Sequence, residues 1–214
     1  PISFEEAKRR YKLDINYDFK LLDTDEVKFN KFTCEKDNIG EINYLNLLEK
    51  ILNEGAKRQT RNAITYSLFG ERLEFSLEDS FPLLTTKKMF LRGIFEELKW
   101  FFSGQTDSKI LENKKVNIWK GNSTKEFIKS VNLPYREGDI GNMYGFQLNH
   151  SGTDYHGCDK QYENLGFNQI DYCLNLLKND KFSRRIIMTT FSPSDSDKGV
   201  LYPCHGIVIQ FYVK

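Results

Sequence analysis

No apolar run in this 214-residue chain approaches the ~20 residues a membrane-spanning helix needs. No signal peptide is legible at its N-terminus. The four cysteines, Cys34, Cys158, Cys173 and Cys204, lack CxxC spacing, which argues against zinc and thioredoxin-type sites and leaves no metal site. A reducing, cytoplasmic setting is expected. Charge of either sign is nearly cancelled, with 31 basic and 30 acidic residues for a net +1. A nucleic-acid partner is therefore not indicated, although a local cationic pocket stays compatible with that balance. There are no internal repeats and no low-complexity segment. The first residue is Pro1 rather than Met, which points to an excerpt or a processed product.

What the chain does have is aromatic bulk, 17 Phe and 11 Tyr. The length suits one ordinary domain, or one domain plus an appendage, with a real core. Residues 1–38 carry dense charge around short apolar groups, and 35–40 reads as a linker. Tyr44, Leu45, Leu47, Leu48, Ile51 and Leu52 recur at helical spacing, and Gly55 suits the helix end. Residues 63–77 read as strand with a turn at Gly70, and 90–102 as a strongly apolar helix stopped by Ser103-Gly104. A polar, glycine-punctuated region spans 120–166. A helix is expected at 167–177, and strands at 186–191 and 206–213. This interleaving predicts an α/β (α+β) layer architecture, a mixed β-sheet packed by helices.

Pro203-Cys204-His205 precedes the apolar run Ile207-Val208-Ile209. A thiolate there would be a strong nucleophile. Taken alone, the tripeptide favours packing, because free Cys is among the most buried residue types. On a 3.6-residue period Glu97 shares its face with Phe90, Ile94 and Phe101, whereas Glu96 sides with Arg92 and Lys99. A carboxylate on an apolar face is a proton shuttle if desolvated, or a residue at the packing margin that reaches solvent. Arg184-Arg185 and Arg61 raise the question of phosphate, against the simpler reading of solvated cations. Adjacent arginines on extended backbone point to opposite sides, so both reach one anion only at a turn, or else serve different subunits. The segment 138–145 is glycine-spaced without the GKS/T ending of a P-loop. It reads as a loop with an exposed Tyr144. Trp119 lines a flat-ligand pocket or simply packs.

Taken together, these segments resemble thymidylate synthase from about Tyr44 to Val213. The resemblance is carried by Arg61, Phe81-Pro82-Leu83-Leu84-Thr85-Thr86-Lys87-Lys88, Arg92-Gly93 with Glu96-Glu97-Leu98, and Ile118-Trp119. It continues through Gly138-Asp139-Ile140-Gly141, Tyr144-Gly145-Phe146-Gln147, Arg184-Arg185-Ile186-Ile187-Met188 and Pro203-Cys204-His205. The resemblance implies a thymidylate synthase-like layered fold and methylation of dUMP to dTMP. Cys204 would add to C6 of the pyrimidine, and 5,10-methylenetetrahydrofolate would give the carbon and hydride and leave as dihydrofolate. It also implies roles for Glu97 in water and proton transfer, Tyr144 near the C5 proton, and His205 beside the nucleophile. Arg61 would hold the dUMP phosphate. Arg184 and Arg185 would reach the phosphate of a neighbouring subunit, which implies a homodimer. Trp119 would lie on the folate side.

Departures from the family pattern are Thr60 for an acid, Asn142 for proline, Leu148-Asn149 for Trp-Arg and Ser192 for asparagine. In the family roughly two-fifths of the length follows the nucleophile, so 41–214 reads as an incomplete synthase domain, truncated at the C-terminus. Weak turnover and exposed sheet edges are expected of it. Residues 1–40 read as an extension whose stretch 27–38 looks like the final strand of a dihydrofolate reductase. NADPH enters only if a reductase domain lies upstream. The competing readings are a pyrimidine nucleotide hydroxymethylase of the same superfamily, and an inactive or binding-only fragment.

Overall fold

A computed structural model describes residues 39–60, 63–78 and 81–214. The chain divides into two units, one ending at Met89 and one spanning Phe90–Lys214.

In the first unit, α1 (Ile39–Glu54) leads into a hairpin of β1 (Ala56–Gln59) and β2 (Ile64–Ser67). The strands pair antiparallel, Ala56 opposite Ser67 and Gln59 opposite Ile64. The helix begins inside the stretch expected to be a linker. Gly40 is a helix residue because Phe75 lies against it: a Cβ there would come within 2.6 Å of the Phe75 ring. Early in the helix the buried Glu41 carboxylate accepts from Thr85 N, Thr85 Oγ1 and Thr86 N at 2.6 to 2.7 Å. Such bonds to a charged acceptor anchor the 85–86 segment. The strand expected over 63–77 stops at Ser67, where its partner β1 ends, since a strand persists only while its backbone groups are paired.

In the second unit, α2 (Leu91–Phe102) ends at Ser103-Gly104 as its sequence requires. The helices α3 (Ser108–Asn113), α4 (Lys125–Ser130), α5 (Tyr144–His150) and α6 (Gln169–Asn179) follow, with a 3₁₀ turn at Lys120–Asn122. Asp107, Thr124 and Asn168 cap α3, α4 and α6 by accepting from Lys109 N, Phe127 N and Asp171 N. Three of these elements lie in the region 120–166, which composition alone presents as loop. β3 (Ile187–Met188) pairs antiparallel with β4 (Ile209–Gln210). Both strands are shorter than the expected 186–191 and 206–213. The architecture is α+β, and among the described residues its two small sheets are antiparallel. The core joins Trp100, Phe101 and Trp119 to Leu111, Ile140, Met143, Tyr144, Ile186 and Met188. Tyr202, Val208 and Tyr212 of the last segment are 65, 68 and 79% exposed.

Candidate active site

Two segments far apart in sequence meet edge to edge. Val200 N donates to Ile140 O at 3.0 Å and Asn142 N to Lys198 O at 3.1 Å, across a Gly141–Gly199 bridge. Gly141 has φ of +81°, and a Cβ there would sit 2.3 Å from Lys198 O, so only glycine permits this approach. Downstream of one edge stands Tyr144, and downstream of the other stands Cys204. Gly145 then lets α5 close on the end of α2, where a Cβ would fall 2.6 Å from Gln105 O. Tyr144, expected on an exposed loop, is therefore the first residue of a helix and 2% exposed. Its burial is made by residues remote in sequence: its ring packs 4.8 Å from Phe101 and 6.0 Å from Trp119.

The Tyr144 hydroxyl accepts a hydrogen bond from Cys204 N at 3.0 Å. It also lies 3.6 Å from Cys204 Sγ and 3.3 Å from His205 Nδ1. Sγ and Nδ1 are 3.6 Å apart, and the imidazole stacks on the Tyr144 ring at 4.4 Å. Cys204 is exposed whereas Pro203 before it is buried, so the thiol faces outward from a fixed backbone. Burial first, and then the Cys204 thiol, push the Tyr144 hydroxyl up to about 12. It therefore remains a neutral hydroxyl at neutral pH, able to donate or accept.

Glu97 is half-buried on α2 and accepts from Trp119 Nε1 at 2.7 Å. Its neighbour Glu96 pairs with Lys114 at 2.7 Å, which splits the two carboxylates as their helical phases require. Trp119 is 6% exposed and enclosed by Trp100, Phe101 and Tyr144. It is thus a core aromatic whose N–H orients Glu97. Through Trp119 and Tyr144, Glu97 belongs to the same aromatic wall as Cys204 and His205.

Arg184 and Arg185 are exposed just before the fully buried Ile186, and neither guanidinium has an ion-pair partner among the described residues. Arg61 lies outside the described residues. No role was expected of Gln147, although it stands in a quoted motif, nor of Gln169 and Thr190, yet the three are 3, 6 and 3% exposed. Of the departures from the family pattern, Thr60, Asn142, Asn149 and Ser192 make side-chain hydrogen bonds, although Asn142 Nδ2 is buried without one among the described residues. Thr60 Oγ1 donates to Ala63 O, Ser192 Oγ to Asp195, and Asn149 Nδ2 to Phe101 O and Gly145 O. Asn142 Oδ1 accepts from Gln147 Nε2 at 2.6 Å.

The thymidylate synthase family model matches residues 42–214. The chain belongs to the thymidylate synthase family. It is 47% identical over 180 residues to a thymidylate synthase of Candida albicans, covering 82% of this chain and 57% of that protein. It is 42% identical over 205 residues to a bifunctional dihydrofolate reductase-thymidylate synthase of Paramecium tetraurelia, covering 93% of this chain and 43% of that one. A bifunctional relative from Zea mays is 45% identical over 180 residues, covering 83% of this chain and 34% of that one. This thymidylate synthase-family chain therefore spans between a third and three-fifths of the length of these relatives.

Proposed function

We propose that this chain carries the nucleophile-bearing part of an enzyme that methylates dUMP to dTMP, with 5,10-methylenetetrahydrofolate as co-substrate. The observation that carries this reading is the meeting of Cys204, His205 and Tyr144 within 3.6 Å, sixty residues apart in sequence. The folate supplies the carbon and the hydride and ends as dihydrofolate. The chain's own residues do the rest. Cys204 sulfur bonds to C6, and the C5–C6 electron pair becomes nucleophilic at C5. The Tyr144 hydroxyl stands beside the sulfur, where the C5 proton must be handed on. Glu97, fixed by Trp119, orders water and proton transfer, and His205 braces the thiol side. The C6–S bond breaks at the end and frees the thiol.

Arg184 and Arg185 are exposed and unpaired among the described residues, which suits phosphate. They lie in a turn, where adjacent arginines can reach one anion, and by family resemblance that anion is a neighbouring subunit's phosphate in a homodimer, with Arg61 serving the chain's own. Trp119 acts on the folate side through Glu97. A thiol nucleophile needs a reducing compartment, the cytoplasm being the natural one. The matched relatives are named as synthases, which favours hydride delivery over the water delivery of a hydroxymethylase.

The first forty residues belong to a bifunctional parent with a reductase upstream, which brings NADPH. The Paramecium match covers 93% of the chain and so leaves about 15 residues out, fewer than those forty, and the names of two further relatives agree.

The test is covalent trapping. The chain is incubated with 5-fluoro-dUMP and methylenetetrahydrofolate and examined by mass. An adduct on the peptide containing Cys204, lost in Cys204→Ser, is expected. A folded sample that forms no adduct, or one that forms it equally in Cys204→Ser, overturns the reading.

A further inference from the structure

Gln169 opens α6 and touches none of the residues given a chemical role, yet it is 6% exposed and its side chain is fully used. Nε2 donates to Gln147 O at 2.7 Å and to Thr189 O at 2.8 Å, and Oε1 accepts from Thr189 N at 2.8 Å. Each partner explains the other. α5 ends at His150, so Gln147 O is one of the four last carbonyls that find no partner inside the helix, and the C-cap Ser151 N is the nearest donor that could serve it. Ser151 N donates instead to Phe167 O, and the Gln169 amide fills the vacancy. At the other end, the amide and the Thr189 backbone bond to each other twice, as two strand residues would.

The chain of bonds continues to the nucleophile. Thr190, 3% exposed, donates from Oγ1 to His205 O at 3.1 Å and to Gly206 O at 3.0 Å. Its N–H also donates to Gly206 O at 3.3 Å. Thr189 Oγ1 donates to Ile207 O. One arm of Gln169 thus holds the helix that carries Tyr144, and the other holds the segment that grips the backbone after Cys204. Tyr144 Oη and Cys204 N close the ring at 3.0 Å.

We propose that Gln169 is a positioning residue that sets the distance between the Tyr144 hydroxyl and the Cys204 thiol. The inference rests on reading Cys204 as the nucleophile, but its test does not need turnover. Gln169→Glu keeps the size and the acceptor for Thr189 N while removing both amide donations at neutral pH. Thr190→Val leaves Gln169 intact and cuts the other end of the chain of bonds. Full-length protein is alkylated with iodoacetamide at pH 7.5, and modification is read by mass on the peptide containing Cys204. A Tyr144 hydroxyl held in place keeps a hydrogen-bonding group 3.6 Å from the sulfur and fixes the backbone that presents it, so each variant slows alkylation about fivefold. In a Tyr144→Phe background the same substitutions change the rate by less than about 1.5-fold, because the route of their effect is gone.

Circular dichroism establishes folding. Equal slowing with and without the Tyr144 hydroxyl, or unchanged rates in a folded variant, overturns the proposal. Failure of both variants to fold overturns it in favour of a purely structural strap. A failed trapping experiment alongside a rate that depends on Tyr144 would reject the synthase reading and keep the positioning one.

Discussion

Tyr144 with Cys204 and Tyr155 with Cys158 place the same two functional groups in different surroundings within one unit. Tyr155 Oη donates to Asp139 at 2.6 Å, and Cys158 N donates to the same carboxylate at 2.9 Å. Asp139 is 1% exposed and also accepts from Gly141 N at 2.8 Å. There, burial first and then the Asp139 charge push the Cys158 thiol up to about 12, and the same two causes raise Tyr155 further. Arg136 lies nearby but is spent on Asp107 and Asp159. At Cys204 the sulfur is exposed and its partners are a hydroxyl and an imidazole, with no carboxylate in hydrogen-bond reach among the described residues. A tyrosine beside a cysteine therefore does not define a reactive thiol. The sign of the nearest charge and the access of solvent do.

The sharpest way to break this contrast is direct competition for an alkylating agent. At pH 8, Cys204 is expected to react at least ~100-fold faster than Cys158, read peptide by peptide by mass. Comparable rates would erase the distinction. Asp139→Asn comes next. It removes the charge that disfavours the Cys158 thiolate and breaks a carboxylate serving three donors. A loss of about 2–3 kcal/mol in urea unfolding is expected, together with faster alkylation of Cys158.

The third effect runs with pH. Tyr144 and Cys158 both have folded values near 12, above ordinary values of 10.0 and 9.0. Their neutral forms are favoured by the fold. The stability they contribute is complete below about pH 9 and is lost as pH rises toward 12. Urea midpoints should fall across that window. Cys158→Ala should flatten the fall from about pH 9, and Tyr144→Phe only from about pH 10, at a cost of about 1 kcal/mol near neutrality. The smallest change is expected at the solvent side. Arg136→Gln should cost about 0.5 kcal/mol, and less in high salt, because its pairs are largely exposed.

Helices whose apolar residues recur every 3.6 positions were legible from sequence, as α2 and α6 show, and the stop at Ser103-Gly104 was too. Glu97 and Glu96 separated onto different faces as their spacing requires. Tyr144 was misplaced on an exposed loop because its burial comes from Phe101 and Trp119, which no local pattern announces. Gly40 reads as a breaker, yet Phe75 makes it a packing residue. Gln169 stayed silent because both of its partners are 20 or more positions away. Cys204 itself was ambiguous locally, and only the resemblance in motif order put Tyr144 and Cys204 together. Strand ends were overextended because apolar alternation does not report where a partner stops.

The edge pairing of 140–142 with 198–200 bears on when reactivity arises. It closes a loop of nearly sixty residues, which costs entropy before any contact repays it. As the chain leaves the ribosome, Tyr144 emerges long before Cys204, with no partner to meet. The thiol corner can be assembled only when the 198–204 segment docks on an edge already shaped by Gly141. Until then Cys204 is an ordinary cysteine. A pulse of alkylating agent during refolding should find the reactivity of Cys204 changing together with this docking, as a timestamp of that one closure.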